Sequence, residues 1–298
     1  MDIMEKTMRH GITAAILLCC SASTFATPPQ IIAHRAGTGD APENTEYAIS
    51  NSLENKADAI WITVQLSKDG IPVLYRPTDL NSLTNKSGLV SAYKASQLAK
   101  FDAGYKFGSD GHHPFRNKGL GIPTLEQVLK KYPDTFFYID LKSPDADPAQ
   151  QAKALEKVLT KQKSLARTRF YSTNETYLNA LPATIQRFES RDKTRTMLAN
   201  ITMAHQCDIP ANTDTTRWYG LEMRRNVEVV EKYTLGEARS KSVLSWDKEA
   251  MACFRANGGA NIILFGIKTE EDFKQAKELG ADGVLVDSPK LFSTFKTK

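Results

Sequence analysis

A histidine and an arginine stand together where a short apolar run stops. Gln30-Ile31-Ile32-Ala33 leads directly into His34-Arg35-Ala36-Gly37. Histidine titrates near neutrality and can move a proton, while arginine offers a phosphate two parallel hydrogen bonds. Ala41-Pro42-Glu43-Asn44-Thr45 follows shortly and adds a carboxylate. A His-Arg pair alone would say little, but His-Arg followed at this spacing by Pro-Glu-Asn-Thr is specific. Further on, Glu189 and Arg191, then Glu222 and Arg224, put opposite charges where strands are expected to end, and Tyr171-Ser172-Thr173 ends another with hydroxyls. For both charged pairs, surface ion pairing is the simpler expectation. No Ser-His-Asp pattern, Walker loop or Cys-x-x-Cys occurs, so those chemistries receive no support.

The elements that must position these groups alternate. Strands are expected over Gln30–Ala33, Ala59–Leu66, Pro72–Tyr75, Phe136–Leu141, Arg169–Ser172, Tyr219–Met223, Asn261–Gly266 and Gly283–Val286. Helical spacing occupies Glu43–Lys56, Thr124–Lys131 (with Thr124 as N-cap), Ala149–Ala166 and Glu270–Leu279. Such alternation over about 270 residues predicts parallel βα units of the α/β class, and a single (β/α)8 barrel commonly takes about 250 residues. A doubly wound sheet is the runner-up, but no Gly-x-Gly-x-x-Gly follows the first strand. In a barrel, function gathers at the carboxyl ends of the strands. The polar loop 108–121 carries His112, His113, Arg116 and Lys118, and could cover such a mouth as a lid or simply be a solvated insertion.

Composition sets outer limits. The chain has 298 residues, 41% apolar and 24% charged, which excludes a disordered chain, a collagen or a coiled coil. The formal charge of +5 suits a small anionic substrate and is too diffuse for a nucleic-acid binder. Residues 1–26 combine Lys6 and Arg9, an apolar run of about 11 residues and a small-residue end at Ala26, the parts of a secretory signal peptide. The run is too short for a stable membrane span. The domain is therefore expected over 27–298, in an exported protein, periplasmic or secreted. Removing the leader takes Asp2, Glu5, Lys6 and Arg9 together, so the charge stays at +5. It also leaves only Cys207 and Cys253, an even pair that reads as one disulfide in an exported protein.

The sequence resembles the glycerophosphodiester phosphodiesterase family of TIM-barrel hydrolases. The likeness rests on His34-Arg35 with Pro42-Glu43-Asn44-Thr45, on Ala57-Asp58 to Val73, on Asp102-Ala103-Gly104-Tyr105 and Gly121-Ile122-Pro123-Thr124-Leu125-Glu126 around an insertion, on Tyr138 to Lys142, and on Gly280-Ala281-Asp282-Gly283 to Asp287-Ser288-Pro289. The resemblance implies two histidines as acid and base, and a divalent cation on three carboxylates. The first histidine matches His34, the phosphate arginine Arg35 and the motif glutamate Glu43. The third metal carboxylate matches Asp140, the lysine beyond it Lys142, and a late aromatic against the glycerol Phe265. Elsewhere the pattern is broken. The Glu-x-Asp metal pair is replaced by Trp61-Ile62-Thr63, and the second His-Asp by Arg76-Pro77.

Tryptophan cannot bind Mg²⁺ or Ca²⁺, so the residues point to no cofactor; the resemblance still allows Mg²⁺ or Ca²⁺, on a weak site of only Glu43 and Asp140. A second acting histidine would have to be His112, His113 or His205. The resemblance thus implies hydrolysis of a glycerophosphodiester to glycerol 3-phosphate and an alcohol, with His34, Arg35, Arg76 and Asp140 catalytic and Glu43, Lys142 and Phe265 on the substrate. Two other outcomes stay open. One is a metal-independent enzyme like the phosphatidylinositol phospholipases, with Arg76 as the fixed charge. The other is a non-catalytic member that only binds a phosphodiester or anionic head group.

Overall fold

The structure, a computed structural model, describes residues 27–211 and 216–296. The leader expected over 1–26 lies outside the described residues. In chain order the elements are β1 (Gln30–Ala33), α1 (Glu46–Glu54), β2 (Ala59–Leu66), β3 (Pro72–Leu74), α2 (Ala95–Leu98), α3 (Leu125–Lys131) and β4 (Phe137–Leu141). Next come α4 (Pro148–Lys161), β5 (Thr168–Tyr171), α5 (Glu175–Asn179), α6 (Arg191–Ala204), β6 (Arg217–Glu222), β7 (Arg224–Tyr233) and β8 (Gly236–Ser245). The chain ends with α7 (Lys248–Ala256), β9 (Ala260–Phe265), α8 (Glu270–Glu278), β10 (Gly283–Val286) and α9 (Pro289–Phe292).

Seven strands form a parallel path in the order β5-β4-β2-β1-β10-β9-β6, with β3 folded back antiparallel on β2. The segment 186–189 closes the ring. Phe170 N donates to Gln186 O at 2.9 Å, Phe188 N to Phe170 O at 2.8 Å, and Glu189 N to Trp218 O at 2.8 Å. It is the eighth parallel stave, between β5 and β6, and the (β/α)8 barrel is complete. No periodicity marks this segment, because it makes few ladder bonds and holds its place through Phe188.

Every residue of β2 is buried. Its alternate residues serve two layers, as a pleated strand requires. Ile60, Ile62 and Val64 pack outward against the helices. Ala59 and Trp61 point inward, with Ile32, Tyr138, Tyr171, Phe188, Ile263 and Leu285. The same alternation, carried one step past each strand, sets the top layer at the carboxyl rim. His34 follows Ile32, Asp140 follows Tyr138, Asp287 follows Leu285, and Phe265 follows Ile263. Gly220 lies in this interior too, where an added Cβ would meet Phe265 Cζ at 2.7 Å.

Two helix boundaries differ from expectation. α1 begins at Glu46, not Glu43, because Asn44 is left-handed (φ 58°) and Thr45 is the N-cap, accepting from Ala48 N. α4 stops at Lys161, not Ala166, ahead of Lys163 in the left-handed region (φ 49°). Thr124 caps α3 as expected, and Gln127 completes a capping box. Cys207 and Cys253 form a disulfide that ties the segment after α6 to α7. The sequence marks no element over residues 224–245. They form a two-stranded antiparallel hairpin, β7–β8, rooted at the carboxyl rim.

Candidate active site

The first loop of the barrel is built around a tight left-handed turn. Arg35 (φ 49°), Ala36 (φ 64°) and Gly37 (φ 86°) are all left-handed. At Gly37 an added Cβ would come within 2.5 Å of Ser52 Oγ, which donates to Ala36 O. The turn sends Arg35 sideways to Glu43, whose Oε2 accepts from Arg35 Nη1 at 2.8 Å and from Thr38 Oγ1 at 3.1 Å. Each residue of the Pro-Glu-Asn-Thr motif thus has a task. Glu43 holds Arg35, Asn44 Oδ1 accepts from Thr63 N at 2.9 Å, and Thr45 caps α1 while donating to Pro42 O. Glu43 Oε1 and Asn44 Nδ2 are buried without a partner.

His34 meets a residue from the far end of the chain. Its Nδ1 lies 2.6 Å from Asp287 Oδ1. The His34 bond, with the charges of His34, Arg35 and Lys268, holds the exposed Asp287 carboxyl below its ordinary range against partial desolvation. An ionised acceptor makes Nδ1 the protonated ring nitrogen and leaves Nε2 as the base. Asp287 carried no assigned role in the sequence, although it directly follows the last apolar strand. Only barrel closure, which pairs β10 with β1, sets it beside His34.

Asp140 lies on the neighbouring wall and is 8% exposed. Burial pushes its carboxyl up to about 7, against the opposing pull of Lys142, Arg76 and Arg35. Lys142 Nζ is 3.7 Å from Asp140 Oδ1 and donates to Thr173 Oγ1 at 2.7 Å. Arg76 is exposed. Its backbone is fixed by Gln65, whose Nε2 donates to the carbonyls of Arg76 (3.1 Å) and Pro77 (2.8 Å). Nothing in the sequence singles out Gln65. Three cations therefore act on one buried carboxyl.

The remaining rim is aromatic and ionic. Phe265 packs on Trp61 and Tyr171, with ring centroids 5.3 Å and 5.5 Å away. Arg191 Nη2 pairs with Glu222 Oε1 at 2.6 Å, and burial raises the Tyr171 phenol beside them. So Arg191 and Glu222, expected in separate pairs, belong to one. Arg224 instead joins Asp272 and Gln275, and Glu189 lies 3.9 Å from Arg217. In the insertion, His113 Nδ1 engages Phe107 O and Arg116 stacks on Tyr105, so these side chains are occupied locally. His205 pairs with Glu249 far along the chain, at the end of α6. A cleft of about 550 Å³ runs outside α1, past Tyr47, Asn51 and Gln127, and is separate from this rim.

The sequence profile of the glycerophosphoryl diester phosphodiesterase family matches residues 34–291. The chain belongs to that family. The chain is similar to the uncharacterized protein Rv2277c of Mycobacterium tuberculosis, 42% identical over 267 residues, covering 88% of this chain and 87% of that one. The crystal structure of that protein's glycerophosphoryl diester phosphodiesterase domain superposes with a TM-score of 0.84 at 39% identity, covering 90% of this chain and 99% of that chain. The glycerophosphodiester phosphodiesterase of Bacillus subtilis is 26% identical over 287 residues, covering 93% of this chain and 90% of that one. The chain is thus a phosphodiester hydrolase by family.

The family's divalent cation does not fit the residues present. Trp61 is 2% exposed, locked among Tyr138, Tyr171, Phe188 and Phe265. Thr63 is buried, and its side chain offers one neutral oxygen. Glu43 gives Oε2 to Arg35, so it and Asp140 could offer a cation one unpartnered carboxylate oxygen each. Among the described residues, no group of three His, Cys, Asp or Glu side chains gathers to hold a metal. What the rim offers instead is guanidinium and ammonium charge around Asp140.

Proposed function

We propose that the barrel hydrolyses a small glycerophosphodiester to glycerol 3-phosphate and an alcohol without a divalent cation. The His34–Asp287 contact beside Arg35 carries this reading. His34 Nε2 takes the proton of the attacking water. Arg35 and Arg76 neutralise the phosphate oxygens as the phosphorus gains its fifth oxygen. Arginine suits this task, since its fork matches two phosphate oxygens and its charge is permanent. Lys142, held by Thr173, completes the positive wall. Asp140, which burial keeps protonated to about pH 7, is the group able to return a proton to the leaving oxygen. Phe265 offers an apolar surface to the carbon side of the substrate. The Cys207–Cys253 disulfide supports work outside the reducing cytoplasm, in an exported protein, periplasmic or secreted.

The test is an assay of the 27–298 protein on glycerophosphocholine and glycerophosphoinositol, with and without a chelator. Turnover that resists chelation is the expected result. Turnover abolished by the chelator would overturn the metal-free reading. Binding without turnover would make the chain a non-catalytic family member.

A further inference from the structure

One ion pair of the rim is used by nothing in the chemistry above. Along β6, Tyr219 and Leu221 pack outward, while Trp218 and Gly220 face the barrel interior. The same alternation sets Glu222 in the top layer with Asp140 and Phe265. Phe265 is also its ladder partner on β9. Arg191, the first residue of α6, reaches across to it, with Nη2 2.6 Å from Glu222 Oε1. The two side chains are 15% and 32% exposed, so the pair opens on the rim yet is largely withdrawn from water. Arg225, near the start of β7, adds a looser contact to the same oxygen at 3.6 Å.

The pair is incomplete as a fold-holding salt bridge. Glu222 Oε2 is buried and accepts no hydrogen bond. A charged oxygen withdrawn from water without a donor is destabilising. A two-pronged guanidinium contact would have covered both oxygens, but Arg191 meets Oε1 alone. Between this pair and Asp140 stands Tyr171, the ladder partner of Asp140. Burial raises its phenol, and the charges of Arg191, Asp140 and Glu222 all act on it. Its ring lies 5.5 Å from Phe265 and 5.2 Å from Trp61. A carboxylate lacking a donor therefore stands over an aromatic floor, on the rim that carries Asp140.

We propose that Arg191 and Glu222 recognise a vicinal diol of the substrate. Glu222 Oε2 accepts from one hydroxyl and Arg191 donates to its neighbour, while the carbons lie on Phe265 and Tyr171. The last torsion of a glutamate is soft, so Oε2 can turn to the rim while Oε1 keeps Arg191. An apolar floor with a few convergent polar groups is the usual make-up of a small-molecule site. A quaternary ammonium fits less well. It has no hydroxyl to give, and the two guanidinium groups beside Glu222 outweigh its single negative charge. The inference rests on the phosphodiesterase reading and narrows its substrate class. The diol belongs either to the glycerol half of the diester or to a polyol leaving alcohol.

The experiment is calorimetric titration of the 27–298 protein with glycerol 3-phosphate, inositol 1-phosphate and phosphocholine. Turnover of glycerophosphoinositol is followed in parallel. Wild type should bind at least one diol phosphate about tenfold or more tighter than phosphocholine. Arg191→Met/Glu222→Leu replaces the pair by apolar side chains of similar size, a swap that folds often accept. It should bring that ratio to within about threefold. Glu222→Gln keeps the shape and should land between the two, and melting curves check that both variants fold. A ratio carried by glycerol 3-phosphate places the glycerol on the pair, and one carried by inositol 1-phosphate places the leaving alcohol there. Equal binding of all three ligands by wild type, or a ratio that the folded variants keep, would overturn the proposal. Selective binding without turnover would count against the enzymatic reading alone, and turnover without selectivity against the diol pair alone.

Discussion

His34 Nδ1 and Asp287 Oδ1 meet at 2.6 Å across 253 residues of chain, joining the first barrel strand to the last. In the proposed reaction the carboxylate would fix the ring orientation and tautomer and stabilise the imidazolium formed when Nε2 takes a proton. Asp287→Asn keeps the shape and removes the charge. It should lower kcat by about 10²–10⁴-fold with KM little changed. Rates within threefold of wild type would remove Asp287 from the mechanism. Since Asp287 is held below its ordinary range, the dyad stays intact through mildly acidic pH, and the acid limb of the rate profile should not come from this carboxylate.

Arg76 takes the position where the family places its second histidine, and Gln65 holds the backbone there from two carbonyls. Arg76→Ala should cost about 10²–10³-fold in kcat/KM. Arg76→Lys should recover only part of this, because a point charge cannot make the paired hydrogen bonds. Gln65→Leu should shift KM and kcat together while leaving the charge in place. Steady-state kinetics on glycerophosphocholine reads all three. Full activity in Arg76→Lys would show that charge alone suffices.

Asp140 makes stability depend on pH in a defined direction. Its folded carboxyl titrates at about 7, well above the unfolded value of 3.8, because burial disfavours the charge. Between these values the folded state holds a proton that the unfolded state has released, so stability falls as pH rises. Asp140→Asn should therefore raise the melting temperature relative to wild type. The gain should grow from about pH 4 to pH 7 and level off above. Melting curves that run parallel across this range would show that Asp140 is ionised in the fold.

Much of this molecule was legible in the residues. Seven of the eight staves announced themselves as short apolar runs, and the rim residues followed from the alternation of each strand. What stayed hidden depended on closure. The stave 186–189 has no apolar run of its own, and Asp287 gains its meaning only when β10 lies against β1. The hairpin β7–β8 escaped notice for another reason. Beyond its root both faces are solvated, so no alternation of apolar and polar residues marks it. Ala57-Asp58 and Ala281-Asp282 were visible as motif but not as function. Asp58 accepts from Ile31 N and Asp282 from Ile262 N, each 2.7 Å away, fastening the amino ends of neighbouring strands.

The disulfide closes a separation of 46 residues between Cys207 and Cys253. On the chain-entropy account a loop of that size is worth about 4 kcal/mol, with about 2–4 commonly observed. Cys207→Ser/Cys253→Ser should lower stability by that amount in urea denaturation, with kcat unchanged, since neither sulfur lies on the rim. A loss of activity without a loss of stability would contradict this separation of roles.

Trp61 shows why the metal cannot be restored by a simple exchange. The indole fills the barrel interior at contact distance from four rings, so its position belongs to the core even though the family uses it for chemistry. Trp61→Phe, which keeps an aromatic ring there, should cost about 1–3 kcal/mol and leave a folded, active protein. Trp61→Ala should cost about 3–5 kcal/mol through the cavity it opens. Trp61→Glu combined with Thr63→Asp recreates the family's carboxylates, but it buries two charges beside Asp140 in a space shaped for an indole. Its expected outcome is a lower melting point that Mg²⁺ or Ca²⁺ does not recover. A variant that instead melted higher with either ion, and gained chelator-sensitive turnover, would show that the arginine-lined rim had kept a place for the cation.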